Sequence, residues 1–194
     1  MTRQAPTKVR EVLKNLPTLE TERLILRKMT LDDAKAVFAY ASDPEVTHYV
    51  IWEMHRTIED STAFLELALG KYESGGEPDW GIVYKGGHCF VGTCGFVNWE
   101  TDHARAEIGY VLHKDYWGRG LMPEAVRAMI VFGFEKMGLN RIEARCIAKN
   151  AASARVMEKA GMTYEGTLRE REFVKGAYRD MKLYSVLRSG YHRR

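Results

Sequence analysis

The sequence predicts a mixed α/β fold (α+β in its layering). About seven strands form a mostly antiparallel twisted sheet, flanked by about four helices. Three observations predict it. Alternating runs at Trp80–Tyr84, Cys89–Trp99 and Ala104–Leu112 follow one another across short turns, as in an antiparallel meander. Val126, Met129, Ile130, Gly133, Phe134 and Met137 then fall on one face of a helix at i, i+3, i+4, i+7, i+8 and i+11. A strand at Arg141–Ile147 follows that helix, so the crossover makes the sheet locally parallel there.

The remaining elements fit this frame. Residues 1–17 read as a basic N-terminal extension ahead of a single domain at 18–194; Val9, Val12, Leu13 and Leu16 give it the spacing of a short amphipathic helix, stopped at Pro17. A strand is expected within Glu20–Lys28. Asp32 and Asp33 open a helix that runs to about Ser42 and stops at Asp43-Pro44. The stretch Glu45–Arg56 reads as an aromatic-bearing loop. Thr57 caps a second helix that Ser74-Gly75-Gly76 ends. The long helix is expected over about Pro123–Met137, with Pro123 in its first turn and Gly138 just past its end. Asn150 caps a last helix ending at Gly161, and Met162–Leu168 and Tyr178–Leu187 close the sheet around a polar excursion.

Composition bounds the function. A chain of 194 residues buries about 70% of its unfolded surface, enough for a core without staples. Hydrophobic residues make up 45% and charged residues 28%, which excludes a disordered or fibrous chain. No apolar run reaches the ~20 residues of a membrane span, and no secretory h-region is seen at Met1–Leu16. Three cysteines, Cys89, Cys94 and Cys146, form no paired motif and read as buried apolar residues; with no leader they point to the cytoplasm. The six histidines show no ligand spacing, so no metal is expected. The net charge of +3 comes from the ends: residues 1–18 and 188–194 each carry +3, leaving −3 on the body. That distribution does not suit a nucleic-acid binder, whose basic stripe lies on the folded body.

The chemistry gathers at Tyr116-Trp117-Gly118-Arg119-Gly120-Leu121-Met122, between a strand and a helix. A helix start offers unpaired N–H groups and the positive end of a dipole, and two glycines let backbone approach an anion. The loop lacks the Lys-Ser/Thr of a P-loop. Pro123, and the three strands ahead of the loop, do not suit a dinucleotide-binding βαβ unit.

Here the sequence resembles the GNAT N-acetyltransferases, most of all the RimJ/RimL-like branch of ribosomal-protein N-terminal acetyltransferases. The resemblance rests on Leu19-Glu20-Thr21-Glu22-Arg23-Leu24-Ile25-Leu26-Arg27, Ala106-Glu107-Ile108-Gly109-Tyr110 and Trp117 to Ala125. Gly138-Leu139-Asn140-Arg141, Asn150-Ala151-Ala152-Ser153 and Glu158-Lys159-Ala160-Gly161-Met162 extend it. Each motif is weak alone; their order and spacing over about 18–188 are specific. Trp117 and Met122 replace the family's usual Gln/Arg and Gly/Ala.

The resemblance implies a splayed parallel strand pair at an acyl-CoA site. Gly118, Arg119, Gly120, Leu121 and Met122, with Trp117 at the head of the loop, would cradle the pyrophosphate. Val111 and Leu112 would pair with the pantetheine arm as an added strand, and an amide near Val111 would serve the oxyanion. Glu107 is implied as base or water relay near the acceptor amine. The usual tyrosine acid is replaced by Met157, so Ser153 is implied beside the sulfur, with Asn150 capping the helix and bonding the arm. Tyr49, Trp52 and His55 lie where this fold places the acceptor. Trp80, Trp99, Phe132 and Phe134 read as packing, as does Trp117, and Lys114-Asp115 and Arg169-Glu170-Arg171-Glu172 as solvated surface.

The expected activity is direct acetyl transfer from acetyl-CoA to a primary amine, first of all the N-terminus of a (ribosomal) protein. The alternatives are a small amine (polyamine, amino sugar or amino acid) and a non-catalytic acyl-CoA-binding module. Ribosome association through the basic ends, and a homodimer suggested by the branch, complete the expectations.

Overall fold

The structure is a computed structural model and describes residues 6–191. Eight strands form one sheet in the order β1-β2-β3-β4-β5-β6-β8-β7. They are β1 (Leu19–Glu20), β2 (Leu24–Arg27), β3 (Asp79–Tyr84), β4 (Cys89–Glu100), β5 (Arg105–Leu112), β6 (Arg141–Ile147), β7 (Thr163–Val174) and β8 (Ala177–Leu187). The helices are α1 (Pro6–Lys14), α2 (Ala34–Ala41), α3 (Pro44–Thr47), α4 (Ile58–Ser74), α5 (Leu121–Glu135) and α6 (Ala151–Lys159). Every neighbouring pair is antiparallel except β5 and β6.

Alternation across β3, β4 and β5 sorts the chain into two faces. Trp80, Phe96 and Ile108 turn towards α5 and join the main core. Trp80 is fully buried, touches Phe132 edge-on at 5.1 Å between ring centres, and donates from Nε1 to Pro17 O at 2.8 Å. Trp80→Ala is expected to cost about 3–5 kcal/mol, read by chemical denaturation, because both the cavity and the lost indole bond count. On the other face Met29, Val37, Tyr40, Leu65 and Ala68 build a second cluster under α2 and α4.

Val9, Leu13 and Leu16 of the N-terminal segment are buried in the main core. Arg10 donates to Gly75 O and lies over Trp99. Removing residues 1–17 would therefore uncover core rather than only remove charge. Arg3, Arg193 and Arg194 lie outside the described residues.

The structure corrects several sequence expectations. The strand within Glu20–Lys28 is a tight hairpin, because Thr21 turns the chain and its amide donates to Leu24 O at 3.0 Å. The loop at 45–56 begins with a turn of helix, α3, capped by Asp43, which accepts from the Glu45 amide. The long helix starts at Leu121 and ends at Glu135, two residues ahead of expectation at each end, since Gly120 at φ 76° already forms its N-cap. Pro123 still falls within the first turn, where its missing N–H costs nothing. The polar excursion after Leu168 is the continuation of β7, paired to β8 as far as Val174↔Ala177 across a bulge at Leu168/Glu172. It reads as polar because β7 is an exposed edge strand.

Candidate active site

The parallel pairing of β5 with β6 is short: Arg105↔Arg141, Ala106↔Ile142 and Glu107↔Glu143, and nothing beyond. From Ile108 to Leu112, β5 therefore has a strand neighbour only on its β4 side. Backbone polar groups on the opened edge are left for a ligand. A cleft of about 1310 Å³ follows this opening. Val111, Leu112, Trp117, Gly118, Gly120, Leu121, Met122, Asn150 and Ser153 line it towards the glycine loop, and Tyr49, Trp52, Phe64, Glu107, Gly109 and Arg145 line it towards the acceptor face.

At the donor end, Gly118 and Gly120 sit at φ 75° and 76°, a left-handed region open to glycine at little cost. The amides of residues 118 to 120 donate to nothing among the described residues. Those of Leu121 and Met122 occupy the first turn of α5, where no intrahelical acceptor exists. Five consecutive N–H groups at a helix start form an anion cradle of pyrophosphate size. Arg119 itself does not line the cleft; its guanidinium lies over the Tyr116 ring at 5.1 Å. Trp117 is exposed at 47%, with its indole N–H donating to Leu112 O at 2.8 Å, so it ties the loop to the end of β5.

The loop is held from behind by residues the sequence reading did not single out. Glu124 accepts from Thr21 Oγ1 at 2.6 Å, the Arg23 amide at 2.9 Å and Arg23 Nε at 2.7 Å. Arg23 Nη1 donates in turn to Arg119 O at 2.9 Å. Burial raises the Glu124 carboxyl, but Thr21 and Arg23 outweigh it and hold the group below the usual range. The visible signal was an acid in the first turn of a helix, next to a Thr-x-Arg turn far away in sequence.

Glu107 and Tyr110 point to opposite faces of β5. On the acceptor face Glu107 accepts from Arg145 Nη2 at 2.7 Å, Arg145 Nε at 3.0 Å and Asn98 Nδ2 at 3.2 Å, all on Oε2. Oε1 takes no hydrogen bond among the described residues. Arg145 also donates to Glu172 Oε1 at 2.8 Å. The hydrogen bond to Glu107 raises the Arg145 guanidinium further, so it stays charged. Glu172, expected as solvated surface, thus reaches the site. Lys114, expected likewise, bridges Asp43 at 2.8 Å and Glu45 at 2.9 Å and ties α3 to the end of β5.

On the other face the Tyr110 hydroxyl lies 2.8 Å from Ser153 Oγ and 3.1 Å from Ser153 O. Burial pushes this phenol well above its ordinary range. Asn150 caps α6, its Oδ1 accepting from the Ser153 amide at 3.0 Å. Met157 is fully buried in the core and is no part of the cleft wall. The sequence reading passed over Tyr110 because its partner lies 43 residues away.

Tyr49 packs on Ile147, Val174 and Met181, joining the acceptor wall to the β7–β8 hairpin. Trp52 stands against His55 at 5.5 Å. His55 itself is set behind the cleft wall, its Nδ1 2.8 Å from the buried Ser61 Oγ, and burial lowers its basicity. Among the described residues no group of His, Cys, Asp or Glu is arranged to hold a metal, and no helix is long and apolar enough to cross a membrane.

A splayed parallel pair, a glycine cradle at a helix start and two polar faces meeting at the gap define an acyl-transfer site on a GNAT fold. The model of the acetyltransferase (GNAT) domain matches residues 23–163, and the chain belongs to that family. It is 36% identical over 176 residues to the uncharacterized N-acetyltransferase p20 of Bacillus licheniformis, covering 91% of this chain and 99% of that one. A GNAT acetyltransferase structure from Bacillus anthracis superposes with a TM-score of 0.79 at 31% identity, covering 88% of this chain and 98% of that one. A ribosomal-protein-serine acetyltransferase of Escherichia coli is 33% identical over 95 residues, 49% of this chain and 53% of its own length. The protein is an N-acetyltransferase, an enzyme of acetyl transfer.

Proposed function

We propose that the protein transfers acetyl from acetyl-CoA directly to the α-amine of a polypeptide N-terminus. The observation that carries this reading is the end of β5–β6 pairing at Glu107↔Glu143, which brings an acceptor face and a donor face to one gap. The pyrophosphate fits the free amides of residues 118 to 122, and the pantetheine arm fits the open edge of β5 at Val111 and Leu112 as an added strand. A backbone N–H of that edge would receive the developing oxyanion.

Glu107 is the base or water-holding group, acting through Oε1 while Arg145 and Asn98 hold Oε2. The leaving thiolate is protonated from the Tyr110–Ser153 hydroxyl pair. No acyl-enzyme is needed: burial raises the thiols of both Cys94 and Cys146, and Cys89, exposed rather than buried as expected from the sequence, does not line the cleft. Glu107 and Glu172, both lining the cleft, favour a cationic acceptor over an anionic one. The Escherichia coli relative's name supports a ribosomal protein as the acceptor polypeptide. The basic residues Lys8, Arg10 and Lys14 lie on α1, away from the glycine loop in sequence, and their part in ribosome docking belongs to the same proposal.

The test is a panel of short peptides with free or blocked N-termini, a polyamine, an amino sugar and free amino acids, read by thiol release from acetyl-CoA. Release stimulated by free-N-terminus peptides and not by their blocked forms is expected. Release with small amines alone would overturn the polypeptide acceptor.

A further inference from the structure

The cleft does not end at the glycine loop. Pro123 of α5 and Ala152, Arg155, Val156 and Lys159 of α6 line its continuation beside the two helices. The four α6 residues fall at i, i+3, i+4 and i+7, one stripe of the helix, while Ala154 and Met157 on its other side are buried. Arg127 Nη1 donates to Lys159 O at 2.9 Å, which ties the end of α6 to α5.

Charge singles out two residues of that stripe. Glu45, Asp79, Glu107, Arg145 and Glu172 also line the cleft, and each is held in an ion pair. The side chains of Arg155 and Lys159 make no ion pair or hydrogen bond among the described residues. Two cations one turn apart repel each other, so the bare pair is a cost to the helix that an anion would remove. The helix dipole accounts for a lysine in the last turn, but not for Arg155 in the middle. Helix side chains lean towards the N-terminus of their helix, so both cations reach back along the cleft towards Asn150 and Ser153.

The place of the pair says which anion. The pantetheine arm is read along β5, ahead of the glycine loop in the chain. The cations lie on the other side of that loop, where Arg127 is six residues, ~9 Å of helix, past Leu121. Acetyl-CoA carries three phosphates: two form the pyrophosphate, and the third is the 3′-phosphate of its ribose. Resting on the acetyl-CoA reading above, we infer that Arg155 and Lys159 bind this 3′-phosphate and make the enzyme select CoA over donors that lack it.

The experiment measures Kd for CoA and for dephospho-CoA, which lacks only the 3′-phosphate, by titration calorimetry. Wild type and the double variant Arg155→Ala/Lys159→Ala are compared, with thermal melting as the folding control. Wild type is expected to bind CoA about 10- to 30-fold more tightly than dephospho-CoA, the lower part of the range for charged hydrogen bonds because both side chains are exposed. In the double variant the Kd for CoA should rise to that for dephospho-CoA, which itself should change less than about twofold. Equal affinities in wild type, or a preference unchanged in the double variant, would overturn the 3′-phosphate seat. Equal weakening of both ligands would overturn it too, since it would reduce the pair to a general attraction for anions. Should the double variant fail to fold, Arg155→Gln and Lys159→Gln taken singly should each lower the preference about three- to fivefold, and no change in either would overturn the proposal. Absence of binding of both ligands to wild type would overturn the acetyl-CoA reading itself and this inference with it.

Discussion

Glu107→Gln is expected to lower kcat by about 10²–10³, with KM for acetyl-CoA changed less than twofold. The exchange is nearly isosteric. The amide oxygen can still accept from Arg145 and Asn98, so the charged neighbourhood and the fold are kept. What is lost is the ability of Oε1 to take a proton or order a water against the acceptor. Donor binding is spared because the glycine cradle, Asn150 and Ser153 lie beyond the gap. Steady-state kinetics with each substrate varied separately check this. A turnover within a factor of two of wild type would reduce Glu107 to an ion-paired strand residue.

Glu124→Ala is expected to cost about 2–4 kcal/mol and to raise KM for acetyl-CoA at least tenfold. Removing this carboxylate leaves the Thr21 hydroxyl, the Arg23 amide and the Arg23 guanidinium without their common acceptor. Arg23 then no longer holds the Arg119 carbonyl, and the loop loses the brace that turns its amides to the donor. Partial exposure of Arg23 moderates the cost, since water can solvate its freed end. The melting temperature should fall by roughly 5–12 °C at neutral pH. The pH dependence has a definite sign. Glu124 is held below its ordinary value of 4.5 in the folded state, so its contribution is complete above that value and is lost as pH falls through the folded one. The gap between wild type and variant should therefore narrow as pH falls below 4.5. A gap that persists unchanged at low pH would show that packing, not charge, is at work.

These two residues also mark what was legible in the sequence. Periodicity located the meander, the helix face and the parallel crossover, because each repeats its signal over many residues. The glycine loop was legible as an anion site because helix starts and left-handed glycines are local physics. Glu107 was named from its motif, but its partner Arg145 stands on another strand, and Arg145's second partner Glu172 lies in a stretch that reads as solvent-facing charge. Glu124, Arg23 and Tyr110 were missed for the same reason. Their meaning comes from partners between 43 and 103 residues away, brought together by the fold, which no local pattern encodes. Helix ends shifted by two residues because Gly120 serves as cap and as loop residue at once.

The most direct test of acetyl transfer to a polypeptide N-terminus uses one peptide carrying a free serine α-amine and an internal lysine, incubated with enzyme and acetyl-CoA. Its product is mapped by fragment mass spectrometry. A single acetyl group on the α-amine is the predicted result, with none on the lysine. Acetyl on the lysine ε-amine, or an unmodified peptide under conditions where a small amine is acetylated, would contradict it.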